Sequence, residues 1–322
     1  MDERHRRVLR AHDEPYRYLD DAEVHARLCA QPQAYLDHIL KRLQQIADGR
    51  AQLELPDKLL FRDAGARSDF RVMPCVLRAP DAVRKTVKLV GTNARRRTVP
   101  DQITVGKAFL LDADENYVAL GLAGCLFSSA RTGACAATAL RLLAPAAKRL
   151  HIVGAGRVGY YAGFYAAALG QVEYIHLSDH DPARAAAAAE LLAAHYPALD
   201  ISAGGPDAQT PDEVLILATD SETPILDATE ALPTLTISLG ADSDWQTEVA
   251  DSVVGRLTLY AETSDSLHYG DLKRWQNAGL ITTEQITTLL PLVAAAAAAA
   301  GPALFISTGS ALFDNLTIDY IA

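Results

Sequence analysis

The stretch KTVKLVGTN, residues 85–93, sets a lysine inside an apolar strand pattern. Alternation places Lys88 on one face with Thr86 and Val90, opposite Val87 and Leu89. An ammonium in such a place either meets water, as a charge guarding a sheet edge, or meets a ligand. In the second case it can polarise a carbonyl or donate a proton, since burial beside other cations lowers a lysine pKa.

A second chemical signal is HIVGAGRVGYYAG, which carries Gly154, Gly156 and Gly159 in the spacing G-x-G-x-x-G, with Arg157 and Val158 between the last two. It follows an apolar strand and opens a helix, the context a dinucleotide-binding turn requires. Gly154 allows the tight turn, Gly156 lets backbone approach a pyrophosphate, and Gly159 lets the helix lie close to the strand. Free N–H groups at the helix start then face the phosphates. Asp179 ends the next strand, VEYIHLSD, twenty residues past Gly159. A carboxylate there accepts from the ribose hydroxyls and repels a 2′-phosphate, favouring NAD(H) over NADP(H). Asp181 is the alternative acceptor. Thr219, after the strand EVLILAT, is expected to line the nicotinamide end.

These residues need elements to hold them. LDDAEVHARL (19–28) reads as a helix capped by Asp20 or Asp21. QAYLDHILKRLQQIAD (33–48) reads as an amphipathic helix with Leu36, Ile39, Leu40 and Leu43 on one face. Residues 52–120 carry short strand patterns, the last two joined by a hairpin turn at DADEN, 112–116. SSARTGACAATALRLLAP (128–145) reads as a long helix. Beyond it strands and helices alternate, the pattern of a doubly wound parallel sheet. The fold class is therefore α/β. The alternation runs from about 128 to about 275, and the pattern alone leaves open whether the tail, 280–322, returns to the first unit or packs on the second. ARRRTVPD (94–101) reads as a solvated loop.

At 322 residues the chain exceeds one ordinary core, which makes two domains the expectation. A net charge of −10 argues against nucleic acid or an anionic membrane as partner. The four cysteines form no C-x-x-C and no Cys/His cluster of zinc spacing, so no metal is expected and the thiols suit a reducing cytoplasm. The polar start, MDERHRRVLRAHDEPYRY, lacks an apolar signal region.

Taken together, VKLVGTN, ARTGACAATAL, the glycine turn, SLGADSDWQTEVAD and STGSALFDNL resemble the ornithine cyclodeaminase/mu-crystallin family over nearly the whole chain. The resemblance implies a homodimer with bound NAD acting on a small amino acid or 2-oxo acid imine, with a Rossmann domain at 128–289 set between the two segments, 1–127 and 290–322, of an α+β substrate and dimerisation domain. It further implies that Lys88 and Arg131 contact substrate and that Asp242 lies beside the reacting amine. Where ornithine cyclodeaminases have a glutamate before Met-Pro this chain has Arg71, and Lys58 stands where an arginine is usual. That pair looks like the alanine dehydrogenase branch, so the resemblance points to an NAD(H)-dependent amino-acid dehydrogenase or ketimine reductase. A cyclodeaminase, a diaminopropionate-pathway enzyme and a mu-crystallin-like binding protein are the alternatives.

Such chemistry asks for a cation on the α-carboxylate, which a planar guanidinium holds with two parallel bonds, and for an acid/base at nitrogen. Arg71 and Arg131 are the candidate clamps, with Lys58 as a further substrate contact. Lys88 is the candidate proton donor, and Asp242 the ammonium ligand and base. Ser307 and Gly309 are expected to line the nicotinamide end from the tail, with His268 at a pocket wall.

Overall fold

The computed structural model describes residues 1–322 except 64–67, 94–98, 100, 101, 103, 206–212, 228–230, 296 and 297. The expected loop at 94–101 thus lies, but for Val99, outside the described residues. A short exposed helix, α1 (Glu3–Leu9), and a brief strand, β1 (Arg17–Leu19), lead into α2 (Asp21–Ala30). Asp20 caps α2 by accepting from the Glu23 amide while Glu23 reaches back to the Asp20 amide. A cap of this kind contributes about 1 kcal/mol. In α3 (Pro32–Ala47) the buried stripe is Tyr35, Leu36, Ile39 and Leu43, with Leu40 only half-buried at its margin.

Six strands follow: β2 (Gln52–Glu54), β3 (Leu59–Arg62), β4 (Ser68–Ala79), β5 (Ala82–Asn93), β6 (Thr104–Leu111) and β7 (Val118–Ala123). With β1 they form a seven-stranded sheet in the order β1-β7-β6-β5-β4-β2, β3 also pairing with β4. The β1–β7 pair is parallel and the other described pairs are antiparallel. The β6–β7 turn forms where DADEN predicts it: the Asp112 carboxylate accepts from the Asp114 and Glu115 amides.

The β4–β5 register sets Arg71 opposite Val90 and Met73 opposite Lys88, so these four share a face. That face is the covered one. Lys88 is 2% exposed, whereas Leu89, which the strand pattern places in a core, is 45% exposed. The inversion arises because the chain's own helices close over the lysine side and leave the other side of the sheet bare.

The long helix α4 (Gly124–Leu143) starts at Gly124 rather than at 128 and is buried along most of its length. Gly133 makes this possible: a Cβ there would lie 2.5 Å from the Tyr161 carbonyl carbon. Then come β8 (Arg149–Val153), α5 (Arg157–Ala168), β9 (Tyr174–Ser178), α6 (Pro182–His195), β10 (Asp200–Gly204), β11 (Val214–Leu217), β12 (Leu235–Ser238), β13 (Thr258–Ala261), α7 (Gly270–Asn277), β14 (Ile286–Thr288), α8 (Leu289–Ala295), β15 (Ala303–Ile306) and α9 (Ala311–Ile321). The eight strands form one parallel sheet, β10-β9-β8-β11-β12-β15-β13-β14. Strand order reverses between β8 and β11, and such a switch point opens a crevice at the carboxyl ends of the strands.

The tail, expected to return with the first unit, divides between the two sheets. β15 inserts between β12 and β13, while α9 packs on β4 and β5. Its apolar strand, ALFI, is buried at all four residues and completes the parallel sheet. One hydrophobic core runs from α2 and α3 through α4 and α5 into that sheet. Among the described residues no helix is long and apolar enough to cross a membrane.

Candidate active site

The crevice at the switch point is a cleft of about 2180 Å³, against roughly 300–1,000 Å³ for a site that takes one drug-sized molecule. It has room for a dinucleotide and a second small molecule. One end is the glycine turn. Gly154 has φ +97°, and a Cβ there would lie 2.4 Å from the Ala218 carbonyl oxygen; at Gly159 it would lie 1.9 Å from the Gly154 carbonyl oxygen. Both glycines are needed by the protein's own backbone. Gly156 differs: a Cβ there meets nothing within 4 Å, so the space beside it belongs to the cleft. Gly156 is the N-cap of α5 and brings no side chain of its own to that end. A helix start directs N–H groups outward and suits an anion, and Arg157 and Val158 line the cleft there.

Asp179 also lines the cleft. Its carboxylate accepts from the Ala155 amide at 2.8 Å and the Asp181 amide at 2.9 Å, tying the end of β9 to the glycine turn. Asp181 instead caps α6 through the Ala183 amide. Thr219 stands at the far side of the switch point, its amide and hydroxyl both donating to Glu248 at 2.8 and 2.9 Å. Glu248 is fully buried and also accepts from Ser238 Oγ and the Gly240 amide. Burial pushes its carboxyl above the usual range, against the pull of those bonds.

At the other end two ion clusters face the same cleft. The Lys88 ammonium lies 2.8 Å from Asp314, and Arg131 Nε lies 2.9 Å from the same carboxylate. All three side chains are buried. Burial pushes the Lys88 ammonium down to about 8, the charge of Arg131 adding to the fall and Asp314 opposing it. Arg131 Nη1 is buried with no hydrogen-bond partner among the described residues. Gly309, with φ +74°, lies flat against this guanidinium, where a Cβ would stand 2.7 Å from Nη2.

In the second cluster Arg71 is held from both sides. Its Nε and Nη2 donate to Asp69 at 3.0 and 3.1 Å, and its Nη1 donates to Asp242 at 2.8 Å. Asp69 is buried, whereas the Asp242 side chain is 34% exposed toward the cleft. Burial alone would raise the Asp242 carboxyl, but the charge and hydrogen bond of Arg71 outweigh it and hold the group below the usual carboxylate range.

The cleft thus gathers Arg71, Lys88, Arg131, Asp242, Thr219, Gly309 and the glycine turn. Three expected residues lie elsewhere. Lys58 turns away, donating to the Thr308 and Gly309 carbonyls at 3.1 and 3.0 Å, with Asp265 at 3.4 Å and the Tyr269 ring beneath it. Burial lowers its pKa, which Asp265 partly offsets. Ser307 donates to Glu262 behind the cleft. His268 is 60% exposed beside Asp265 and is no part of the cleft wall. With Asp57 and Asp265 it forms a group close enough to hold a cation, but the Lys58 ammonium already stands at Asp265. Glu248, the glutamate that follows GAD, and Asp314, the aspartate that ends STGSALFD, stand at positions of the family resemblance but without a role legible from the sequence, and Asp69, at the start of DFRVMPC, carries no signal at all. A lone aspartate in a helix or strand carries no local sign of the cation it will meet.

Residues 19–314 match the model of the ornithine cyclodeaminase/mu-crystallin family. The chain is 28% identical over 231 residues to the iminosuccinate reductase of Paracoccus denitrificans (strain Pd 1222), covering 69% of this chain and 70% of that one. Among solved structures it resembles the Δ1-pyrroline-2-carboxylate reductase of Thermococcus litoralis in complex with NADH and L-proline. There the TM-score is 0.84 at 19% identity, over 94% of this chain and 95% of that one. It also resembles the P. denitrificans iminosuccinate reductase in complex with NAD+, with TM-score 0.76, 20% identity and 94% of each chain covered.

Proposed function

The chain belongs to the ornithine cyclodeaminase/mu-crystallin family, and from that premise we propose that it is an NAD(H)-dependent oxidoreductase acting on the C=N or CH–NH2 bond of a small amino-acid-derived substrate. The observation that carries this reading is the unpaired, buried Nη1 of Arg131 beside Lys88 and Asp314, in the same cleft as the glycine turn. Two buried cations share one carboxylate there, so one positive charge remains for a substrate carboxylate. An unpaired buried N–H is costly in the free protein and is satisfied when an anion binds.

The helix start of α5, the cradle beside Gly156 and the Asp179 carboxylate suit the pyrophosphate and ribose of NAD(H). That cofactor, when bound, supplies or accepts a hydride at the substrate α-carbon. The protein's part follows from its charges. Arg131 orients the α-carboxylate with its guanidinium edge. Asp242, kept ionised by Arg71, receives the ammonium or iminium N–H. Lys88, poised near neutrality, gives a proton to the imine nitrogen as the carbon is reduced, or to the oxygen that leaves as water when ammonia condenses with a 2-oxo acid, and takes it back in the reverse direction. The relatives named as imine reductases and the two bound nicotinamide cofactors among the similar structures support the reading.

A bare apolar face on the first sheet supports a homodimer. Leu59, Phe61, Phe70, Leu89 and Val105 share the face opposite Lys88 and are exposed, and Phe61 stacks on Phe70 with centroids 4.5 Å apart. A second copy over this face would bury it.

The test is turnover. Purified protein with NADH, ammonia and a panel of 2-oxo acids (pyruvate, glyoxylate, oxaloacetate) should oxidise NADH, and the matching amino acids should reduce NAD+. Conversion of ornithine to proline and ammonia without net NAD reduction, faster than any reaction of the panel, would replace this reading with the cyclodeaminase one.

A further inference from the structure

The two ion clusters of the cleft carry opposite net charge. Lys88 and Arg131 around Asp314 leave one positive charge. Asp69 and Asp242 around Arg71 leave one negative charge. The nearby Lys58 is matched by Asp265 at 3.4 Å. The clusters are close neighbours on one sheet face, because Lys88 is opposite Met73, two residues along β4 from Arg71. In an antiparallel sheet such a diagonal pair has Cβ atoms roughly 7–8 Å apart or somewhat less. An α-amino acid carries its ammonium one carbon away from its carboxylate, so the cleft wall matches the dipole of a zwitterion.

The sign of the second cluster depends on a residue that does not line the cleft. Asp69 is buried behind Arg71, and it meets the guanidinium with both oxygens, Oδ1 to Nε at 3.0 Å and Oδ2 to Nη2 at 3.1 Å. This two-point grip fixes the plane of the guanidinium and leaves Nη1 aimed at Asp242. Without the Asp69 charge, Arg71 and Asp242 would form a neutral pair, and an ammonium would have to compete with Arg71 for Asp242. With it, the Arg71 charge is already compensated, and Asp242 keeps a full negative charge to offer the cleft.

We propose that Asp69 is a specificity-determining positioning residue: through Arg71 it gives the Asp242 side of the cleft a net negative charge and so selects substrates bearing a positive nitrogen over anions of the same shape. This rests on the reading of the cleft as an amino-acid site, and adds to it a residue at one remove from the ligand. Arg71 then serves Asp242 and does not clamp a carboxylate itself.

The experiment compares ligand pairs that differ mainly in ammonium against hydroxyl: L-alanine with L-lactate, and L-aspartate with L-malate. Each is titrated into NADH-loaded protein by nicotinamide fluorescence. The wild type should bind the amino acid of at least one pair more tightly than its hydroxy acid. Asp69→Asn should shrink that ratio by about tenfold, the scale of removing one unit charge a few ångströms away in a partly screened site, with NADH affinity unchanged. Asp69→Glu, which restores the charge, should recover most of the ratio. If Asp69→Asn does not fold, the pair Asp69→Asn with Arg71→Gln removes both buried charges and keeps that of Asp242, and it should retain the wild-type ratio. An unmoved ratio in Asp69→Asn, a lost ratio in the double variant, or binding of neither member of any pair by wild type overturns the proposal. The ratio is read without turnover. If it shifts while no imine is reduced, the oxidoreductase reading falls and the charge assignment stands. If imine is reduced while the ratio stays unmoved, the oxidoreductase reading stands and the charge assignment falls.

Discussion

The ammonium of Lys88 lies 2.8 Å from the carboxylate of Asp314, 226 residues further along the chain, with each side chain 2% exposed. This contact holds α9 over β5 and puts one carboxylate between Lys88 and Arg131. Asp314→Asn would strand two buried cations, and breaking a buried pair in this way costs about 3–5 kcal/mol. Lys88→Met would leave Arg131 and Asp314 as a matched pair, so it should cost distinctly less stability while removing most turnover. Urea denaturation of both variants checks the order. A smaller loss for Asp314→Asn than for Lys88→Met contradicts it.

Lys88 has its pKa lowered from 10.5 to about 8. If its protonated form donates during reduction, reductive turnover should fall above about pH 8, and Lys88→Arg, which stays charged, should lose that limb. The stability effect has a definite sign. Between the two pKa values the unfolded chain binds the proton that the folded chain has released, so the Lys88 contribution grows as pH rises from about 8 to 10.5 and is lost as pH falls through 8. The unfolding free energy of wild type minus that of Lys88→Met should therefore rise over that window. A flat difference would mean that Lys88 titrates near its ordinary value.

The three glycines of the turn should separate folding from binding. Gly156 has φ −75° and open space beside it, so Gly156→Ala should melt within a degree or two of wild type yet bind NADH at least about tenfold more weakly, the methyl standing where the pyrophosphate approaches. Gly159→Ala drives a Cβ to 1.9 Å from the Gly154 carbonyl oxygen and should lose about 2 kcal/mol or more. Melting curves with NADH titration decide the matter, and unimpaired NADH binding by Gly156→Ala would place the cofactor elsewhere.

Asp179 should set the cofactor preference. NADH is expected to bind more tightly than NADPH, and Asp179→Ser should narrow the gap by removing the charge that repels a 2′-phosphate, with His180 and Arg184 already at 3.0 and 3.6 Å to receive one. Fluorescence titration of both nucleotides reads this directly. Tighter binding of NADPH by wild type would sink the assignment.

The parallel sheet and its glycine turn were legible from residues 149–179 because their physics is local. The positive φ at Gly154 and the approach of Gly159 to the Gly154 carbonyl are set within the turn itself, and an apolar strand followed by glycines fixes where the helix starts. The hairpin at 112–116 and the capped helix at Asp20 were legible for the same reason. The substrate end was not. Composition and alternation raise the question of Lys88 but leave its face open, because which side of a sheet is covered depends on where the chain returns. Here α9 and α4 return over the lysine side, so Leu89 is exposed and Lys88 is not. Only the tertiary structure could send β15 into the parallel sheet, turn Lys58 toward the 308–309 carbonyls, pair Asp314 with two cations and set Asp69 behind Arg71. A charge is written in the sequence, but its counterion is chosen by folding, and at this site the counterions decide which charges remain for a substrate.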